Sequence, residues 1–181
     1  MRHKVWKAFW FWQHEKEEAW LNNMSSKGMR LVYAGFMNYT FEDAPRGEYL
    51  YRTQLLGTFF NSAEDAAYIR FLEETGIEHI CTFGRWGYFR RKASEGPFEI
   101  YSDNASKIKH YKRIIQFIIM VGSGNTFMIP SSIQRVMDNR LTDMYIIILA
   151  IQVLITALLV IGVTILFKKI RKLKKDSNII E

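Results

Sequence analysis

Apolar positions follow two short periods and one long unbroken run along this chain, and each predicts a different element. In residues 29–41 the odd positions (Met29, Leu31, Tyr33, Gly35, Met37, Tyr39, Phe41) are more apolar on average than the even ones. That is the pattern of a long strand with one buried face, and Gly35 marks a bulge or bend in it. Residues 48–56 resume the pattern after the turn 42–47, so a hairpin follows. Residues 5–12, with Trp6, Phe9, Trp10, Phe11 and Trp12, are apolar on both parities, as in a strand covered on both faces.

Helical spacing appears twice. Trp20, Leu21 and Met24 share one side of residues 14–27, carboxylates fill the first turn, and Gly28 supplies a stop. Residues 63–75 read the same way, with Asn61 or Ser62 as the cap and Gly76 at the end. Strands at 77–83 and 86–92 follow, joined by a tight turn at Gly84-Arg85. The order β-α-β-β-α-β-β predicts an α+β domain over residues 1–101. Its first six elements match the ferredoxin-like plan, an antiparallel sheet with two helices on one face.

The long run is residues 144–167, which hold 24 consecutive residues without a charge. At about 1.5 Å of rise per residue this crosses a hydrocarbon core of roughly 30 Å. Lys168, Lys169, Arg171, Lys172, Lys174 and Lys175 come directly after it, and such a cluster is biased to the cytoplasmic side. A weaker span is predicted at 114–130, where Gly122-Ser123-Gly124-Asn125 interrupts the apolar residues; a re-entrant or interfacial segment is the alternative. A basic juxtamembrane helix over 102–113, capped by Ser102 or Asp103, precedes it and carries Lys112 and Arg113. The expected layout is a transmembrane hairpin with an extracytoplasmic loop at 131–142, spans at 114–130 and 143–167, and a basic tail at 168–181. Both termini are then cytoplasmic, in an integral protein of the cell membrane.

The net charge of +7 is placed accordingly. Residues 1–110 carry 15 Lys and Arg against 14 Asp and Glu, whereas residues 111–181 carry 10 against 4. Basicity thus belongs to the membrane flanks, where it meets anionic lipid headgroups, and direct nucleic-acid binding is not expected. The first residues show no small-residue cleavage pattern and do not read as a secretory signal.

Catalytic constellations are lacking. Cys81, the single cysteine, shares a strand face with His79; a Cys–His pair is conceivable there, but a buried core cysteine is the stronger reading. His14, His79 and His110 show no metal-ligand spacing. Glu15, Glu17 and Glu18 read as carboxylates complementing a helix dipole. Gly84-Arg85-Trp86-Gly87 and Gly122-Ser123-Gly124 lack the context of a phosphate loop, so no cofactor is expected. The chain does not read as an enzyme.

Two features point to binding instead. Tyr49 and Tyr51 share one strand face, as do Trp86 and Tyr88, and a sheet with helices on only one side would leave such aromatics open as an interaction surface. Within the spans, Gln152 is the strongest polar side chain and favours a hydrogen-bonded helix partner, either Asn125 of the first span or a second copy in a homodimer.

Four ordered stretches carry a resemblance. They are Glu17-Glu18-Ala19-Trp20-Leu21-Asn22-Asn23-Met24-Ser25-Ser26-Lys27-Gly28, Tyr39-Thr40-Phe41-Glu42, Gly47-Glu48-Tyr49-Leu50-Tyr51-Arg52, and the segment from Ser102 through Arg113. Together they resemble the bacterial domain-of-unknown-function family 2812, found mainly in Firmicutes. The resemblance implies a domain placed before a few transmembrane helices and encoded beside PadR-type transcription repressors. It brings no catalytic residues. The expected function is therefore a membrane-anchored regulatory or interaction protein that binds a PadR-type regulator or an apolar ligand. The alternative is an accessory subunit of a membrane transporter or envelope complex.

Overall fold

The computed structural model describes residues 1–57, 63–101, 103–138 and 142–177. The chain forms two compact units, Met1–Ser102 and Asp103–Glu181. The first is α+β with two three-stranded antiparallel sheets, and the second consists of two long apolar helices.

In the first unit, β1 (Arg2–Trp6), α1 (His14–Ser26), β2 (Met29–Ala34) and β3 (Asn38–Asp43) are followed by β4 (Tyr49–Leu55), α2 (Ala63–Glu74), β5 (Glu78–Phe83) and β6 (Trp86–Lys92). The sheet orders are β1-β3-β2 and β4-β6-β5. Each half is therefore strand-helix-strand-strand with its third strand in the middle.

The correspondence extends to details. Each helix gives way to a glycine with positive φ, Gly28 at 85° and Gly76 at 84°. The hairpin register slips once in each half, between Leu31 and Tyr33 and between His79 and Cys81. Leu31 faces Phe41 as His79 faces Phe89, each residue 48 positions from its counterpart. The two halves thus repeat one structural plan that their side chains do not advertise.

Several expectations are corrected. The strand expected at 5–12 stops at Trp6 and lies at a sheet edge. Beyond it the Lys7 N–H bonds Met37 O at 3.0 Å, residues 11–13 form a 3-10 turn, and Trp10 stacks on Trp12 at 5.4 Å. The strand expected at 29–41 is really two, because Gly35 N–H bonds Asn38 O at 2.8 Å and Met37 takes a φ of 60°, closing a turn. β4 pairs with β6 and not with the preceding strand, since β1 and β2 occupy both edges of β3. The strands are thus shared between two sheets, where one had been expected. The cap expected at Asn61 or Ser62 lies outside the described residues.

The core of the second half joins Leu56, Leu72, Ile77, Phe89 and Phe98. In the first half Leu21, Leu31, Ala34 and Phe41 are fully buried.

In the second unit, α3 (Asn104–Met137) and α4 (Thr142–Ser177) are each longer than expected. Asp103 caps α3, its carboxylate accepting from Ser106 N–H at 2.7 Å; the alternative, Ser102, lies outside the described residues. The glycine-rich stretch keeps helical backbone, with Ser123 Oγ folding onto Met120 O and Thr126 Oγ1 onto Gly122 O. Pro130 is carried within the helix. Residues 131–137 are accordingly helical and not part of a loop.

Candidate functional site

α1 presents two rows of polar side chains to the rest of its unit. The first row seals a sheet edge. β4 is an outer strand, and along its free side Glu18, Asn22 and Ser25 bond its main chain. Glu18 Oε1 accepts from Thr53 N–H at 2.8 Å and from Thr53 Oγ1 at 3.1 Å. Asn22 Oδ1 accepts from Tyr51 N–H at 2.7 Å while its Nδ2 donates to Tyr51 O, and Ser25 Oγ donates to Tyr49 O at 2.7 Å. A spacing of four and three residues on the helix thus meets steps of two on the strand. Side chains here do for β4 what another strand would do, and they block edge-to-edge pairing.

The second row holds Glu17, which is only 8% exposed. Its Oε1 accepts from Tyr39 Oη at 2.7 Å and from Tyr88 Oη at 2.8 Å. Among the described residues, no partner engages Oε2. Burial raises the Glu17 carboxyl above its ordinary range, with the two tyrosine donors opposing the shift. Burial and the Glu17 charge in turn raise both phenols, so the tyrosines remain donors. Glu18 is pushed up to about 7, again by burial first, with the Thr53 bonds and Arg52 opposing.

Aromatic rings pack about Tyr39. Trp20 packs edge-on against Tyr39 at 4.8 Å and lies 5.6 Å from Phe9, with Lys7 Nζ 5.1 Å from its ring. His14 stacks on Trp86 at 5.6 Å. A buried carboxylate with one oxygen outside the tyrosine bonds suits a positive partner.

Glu17 keeps its place in the first turn of α1, and both it and Glu18 are in addition bonded to other elements of the unit. For Glu17 the sequence held a signal, because it shares a helix face with Leu21 and Met24.

The four aromatics expected as an open surface are core. Tyr49, Tyr51, Trp86 and Tyr88 are between 1% and 9% exposed. Their sheet face is covered from the first half, where Leu31 N–H bonds Tyr51 Oη at 3.0 Å and Glu17 takes Tyr88. Cys81 does not pair with His79. Its Sγ accepts from Ala34 N–H at 3.3 Å, joining β5 to β2, and burial raises the thiol. His79 bonds Thr82 Oγ1 at 2.9 Å instead.

In the second unit, Asn125 Nδ2 donates to Gln152 O at 3.0 Å and to Thr156 Oγ1 at 2.9 Å. The link thus runs through the Gln152 main chain, and Gln152 Oε1 is buried without a hydrogen-bond partner. Lys112 and Arg113 on α3, with Lys168, Arg171, Lys172, Lys174 and Lys175 on α4, are exposed; Lys169 Nζ lies 5.7 Å from the Tyr111 ring. Among the described residues, no cluster of His, Cys, Asp or Glu is placed to hold a metal.

Residues 13–122 match the family described as protein of unknown function (DUF2812). No curated protein and no solved structure matches the chain.

Proposed function

The chain belongs to the DUF2812 family, and for this member we propose a membrane-anchored binding module that takes an apolar cation at Glu17. The observation that carries this reading is the buried carboxylate, tied to two tyrosines through one oxygen and open at the other. A buried carboxyl with a raised pKa gains from a positive partner, which offsets the cost of ionising it. In this reading the domain binds and does not catalyse.

The helices anchor it. Residues 114–134 and 144–167 are free of charge, and both helices are long and apolar enough to cross a bilayer. Their outward side chains, such as Ile119, Phe127, Ile147, Leu154 and Val160, are exposed, a surface that lipid satisfies and water does not. The basic flanks favour a cytoplasmic location for both ends. A PadR-type regulator, suggested by the family resemblance, is the proposed reader of the bound state.

The test uses full-length protein in detergent. All five tryptophans (6, 10, 12, 20 and 86) lie in the first unit, so their fluorescence reports on it alone. Titration with tetraphenylphosphonium should quench it saturably, at least tenfold more tightly than an uncharged tetraphenyl analogue. Glu17→Gln should abolish that preference. Equal binding of both compounds, or an unchanged preference in the variant, refutes the reading.

The unpartnered Gln152 Oε1 favours a second reading, an accessory subunit whose helices bind a membrane complex. Gln152→Leu should then abolish co-purification of that complex, while the cation response stays intact.

A further inference from the structure

The outward face of the first sheet changes character in steps from one end of its strands to the other. Burial alternates along β1 and β3, so Arg2, Lys4 and Trp6 share this face with Asn38, Thr40 and Glu42. Cross-strand pairing sets them in three rows. At one end Glu42 bonds both Arg2, at 2.9 Å, and Arg30, at 3.1 Å. Lys4 and Thr40 form the middle row, joined by Tyr33 of β2. Trp6 and Asn38 form the last row, and beyond it the turn between β2 and β3 carries Phe36 and Met37. The second sheet adds Phe83, whose ring centre lies 6.4 Å from that of Phe36.

This tip is apolar and open. Trp6 is 75% exposed and Phe36 73%, while Tyr33, Met37 and Phe83 lie between 38% and 49%. Its main chain is satisfied internally, since Gly35 N–H bonds Asn38 O and Lys7 N–H bonds Met37 O. The segments that build it, 1–14, 29–41 and 79–94, contain no carboxylate. The two helices bring carboxylates toward this end of the unit: Glu15 beside Lys16, and Glu64 beside Asp65, which is buried with Gly57 N–H on its Oδ1. Gradation from ion pairs to bare aromatics, more than net charge, distinguishes the surface.

We propose that this tip enters the interface of the bilayer that α3 and α4 anchor. Trp6, Phe36 and Met37 then sit at the edge of the hydrocarbon, Lys4 among the headgroups, and the row of Arg2, Glu42 and Arg30 in water. The inference rests on the anchoring reading given above. Rows two residues apart on a strand are separated by about 7 Å. The headgroup layer of each leaflet is roughly 5–8 Å deep, so one step from Trp6 to Lys4 crosses it. Trp and Tyr favour that depth, and the lysine stem lets its ammonium reach the headgroups. A second copy fits less well, because a stable protein interface engages about 20–30 residues on each side and the tip offers a handful. The first unit ends at Ser102 and the uncharged run of α3 begins at residue 114, so meeting the bilayer is an intramolecular event.

Full-length protein in vesicles of phosphatidylethanolamine and phosphatidylglycerol tests this. In a Cys81→Ala background, Met37→Cys and Arg46→Cys each carry one nitrobenzoxadiazole label, the first at the tip and the second in the turn beyond the opposite end of β3. Lipids with a nitroxide on the acyl chain should quench the label at 37 at least fivefold more than the label at 46. Trp6→Ser with Phe36→Ser should bring quenching at 37 down to the level at 46, whereas Trp6→Phe with Phe36→Leu should keep the difference. Equal quenching at the two positions, or quenching at 37 that survives both Ser changes, overturns the proposal. A blue-shifted label at 37 that the nitroxides do not reach would put protein on the tip, a second copy included, and also overturn it. Insertion of the helices without quenching at 37 defeats the tip alone, whereas failure to insert defeats the anchoring reading with it.

Discussion

Tyr39 and Tyr88 donate to the same oxygen, Glu17 Oε1, at 2.7 and 2.8 Å. One stands on β3 and the other on β6, so the carboxyl joins the two halves of the domain. Tyr39→Phe or Tyr88→Phe should each cost about 1 kcal/mol. The double change should depart from the sum, because both bonds share one acceptor. Tryptophan-detected thermal melts of the four proteins provide the cycle, and strict additivity would argue against a coupled unit.

Stability should fall as pH rises from 4.5 toward 7. Burial lifts Glu18 from 4.5 to about 7, so the folded chain holds this proton more tightly than the unfolded chain does. Folding then takes up a proton in that window, and the contribution of the protonated acid is lost as pH climbs through it. The full effect is on the order of 3 kcal/mol. Glu17 shifts in the same direction. Melts at pH 5 and pH 8 should show the drop, and Glu18→Gln should flatten it; a rise in stability with pH would contradict the assignment.

Asn22 makes two bonds to the main chain of Tyr51 on the free edge of β4. Asn22→Ala should destabilise the domain by about 2 kcal/mol. It should also speed hydrogen exchange at the Tyr51 amide more than at amides paired with β6. Unchanged exchange at Tyr51 would mean that the seam on α1 is dispensable.

Gly28 and Gly76 hold matching positions and nearly equal φ, yet their surroundings differ. A Cβ on Gly28 would come within 2.9 Å of Ala44 O, whereas at Gly76 the nearest atom is Glu95 Oε2 at 3.7 Å. Both substitutions to Ala pay for positive φ, about 1 kcal/mol. Gly28→Ala must in addition displace backbone and should cost at least twice as much. Equal losses in the melts would contradict this.

The helix register predicts a cross-link. In a Cys81→Ala background, Asn125→Cys with Thr156→Cys should oxidise within one chain, because the native side chains lie 2.9 Å apart. Altered mobility on a non-reducing gel detects it. Dimer bands in its place would show that the helices pair between copies.

Local periodicity made some of this readable in advance. The 24-residue uncharged run, the glycine stops after α1 and α2, and the turn at Gly84-Arg85 are each written in neighbouring residues, and the structure has helices and turns there. Glu17 could have been singled out, since helical spacing sets it beside Leu21 and Met24, but its sequence neighbours Glu15 and Glu18 made it look like one more first-turn charge.

Pairing between distant segments was decided only by the tertiary structure. Nothing within residues 29–41 says that Gly35 and Met37 will turn the chain back, because an alternating pattern is the same in one strand or two. Nor do Tyr49, Tyr51, Trp86 and Tyr88 reveal which face of their sheet is covered. That depends on the first half of the domain lying against it, through Leu31 and Glu17. The repeated plan is similarly hidden, since Leu31 and His79 share a place without sharing a chemistry. Register between α3 and α4, which gathers the basic residues at one end, comes from contacts such as Asn125 with Thr156. Sequence determines what each segment can bury; the fold determines what buries it.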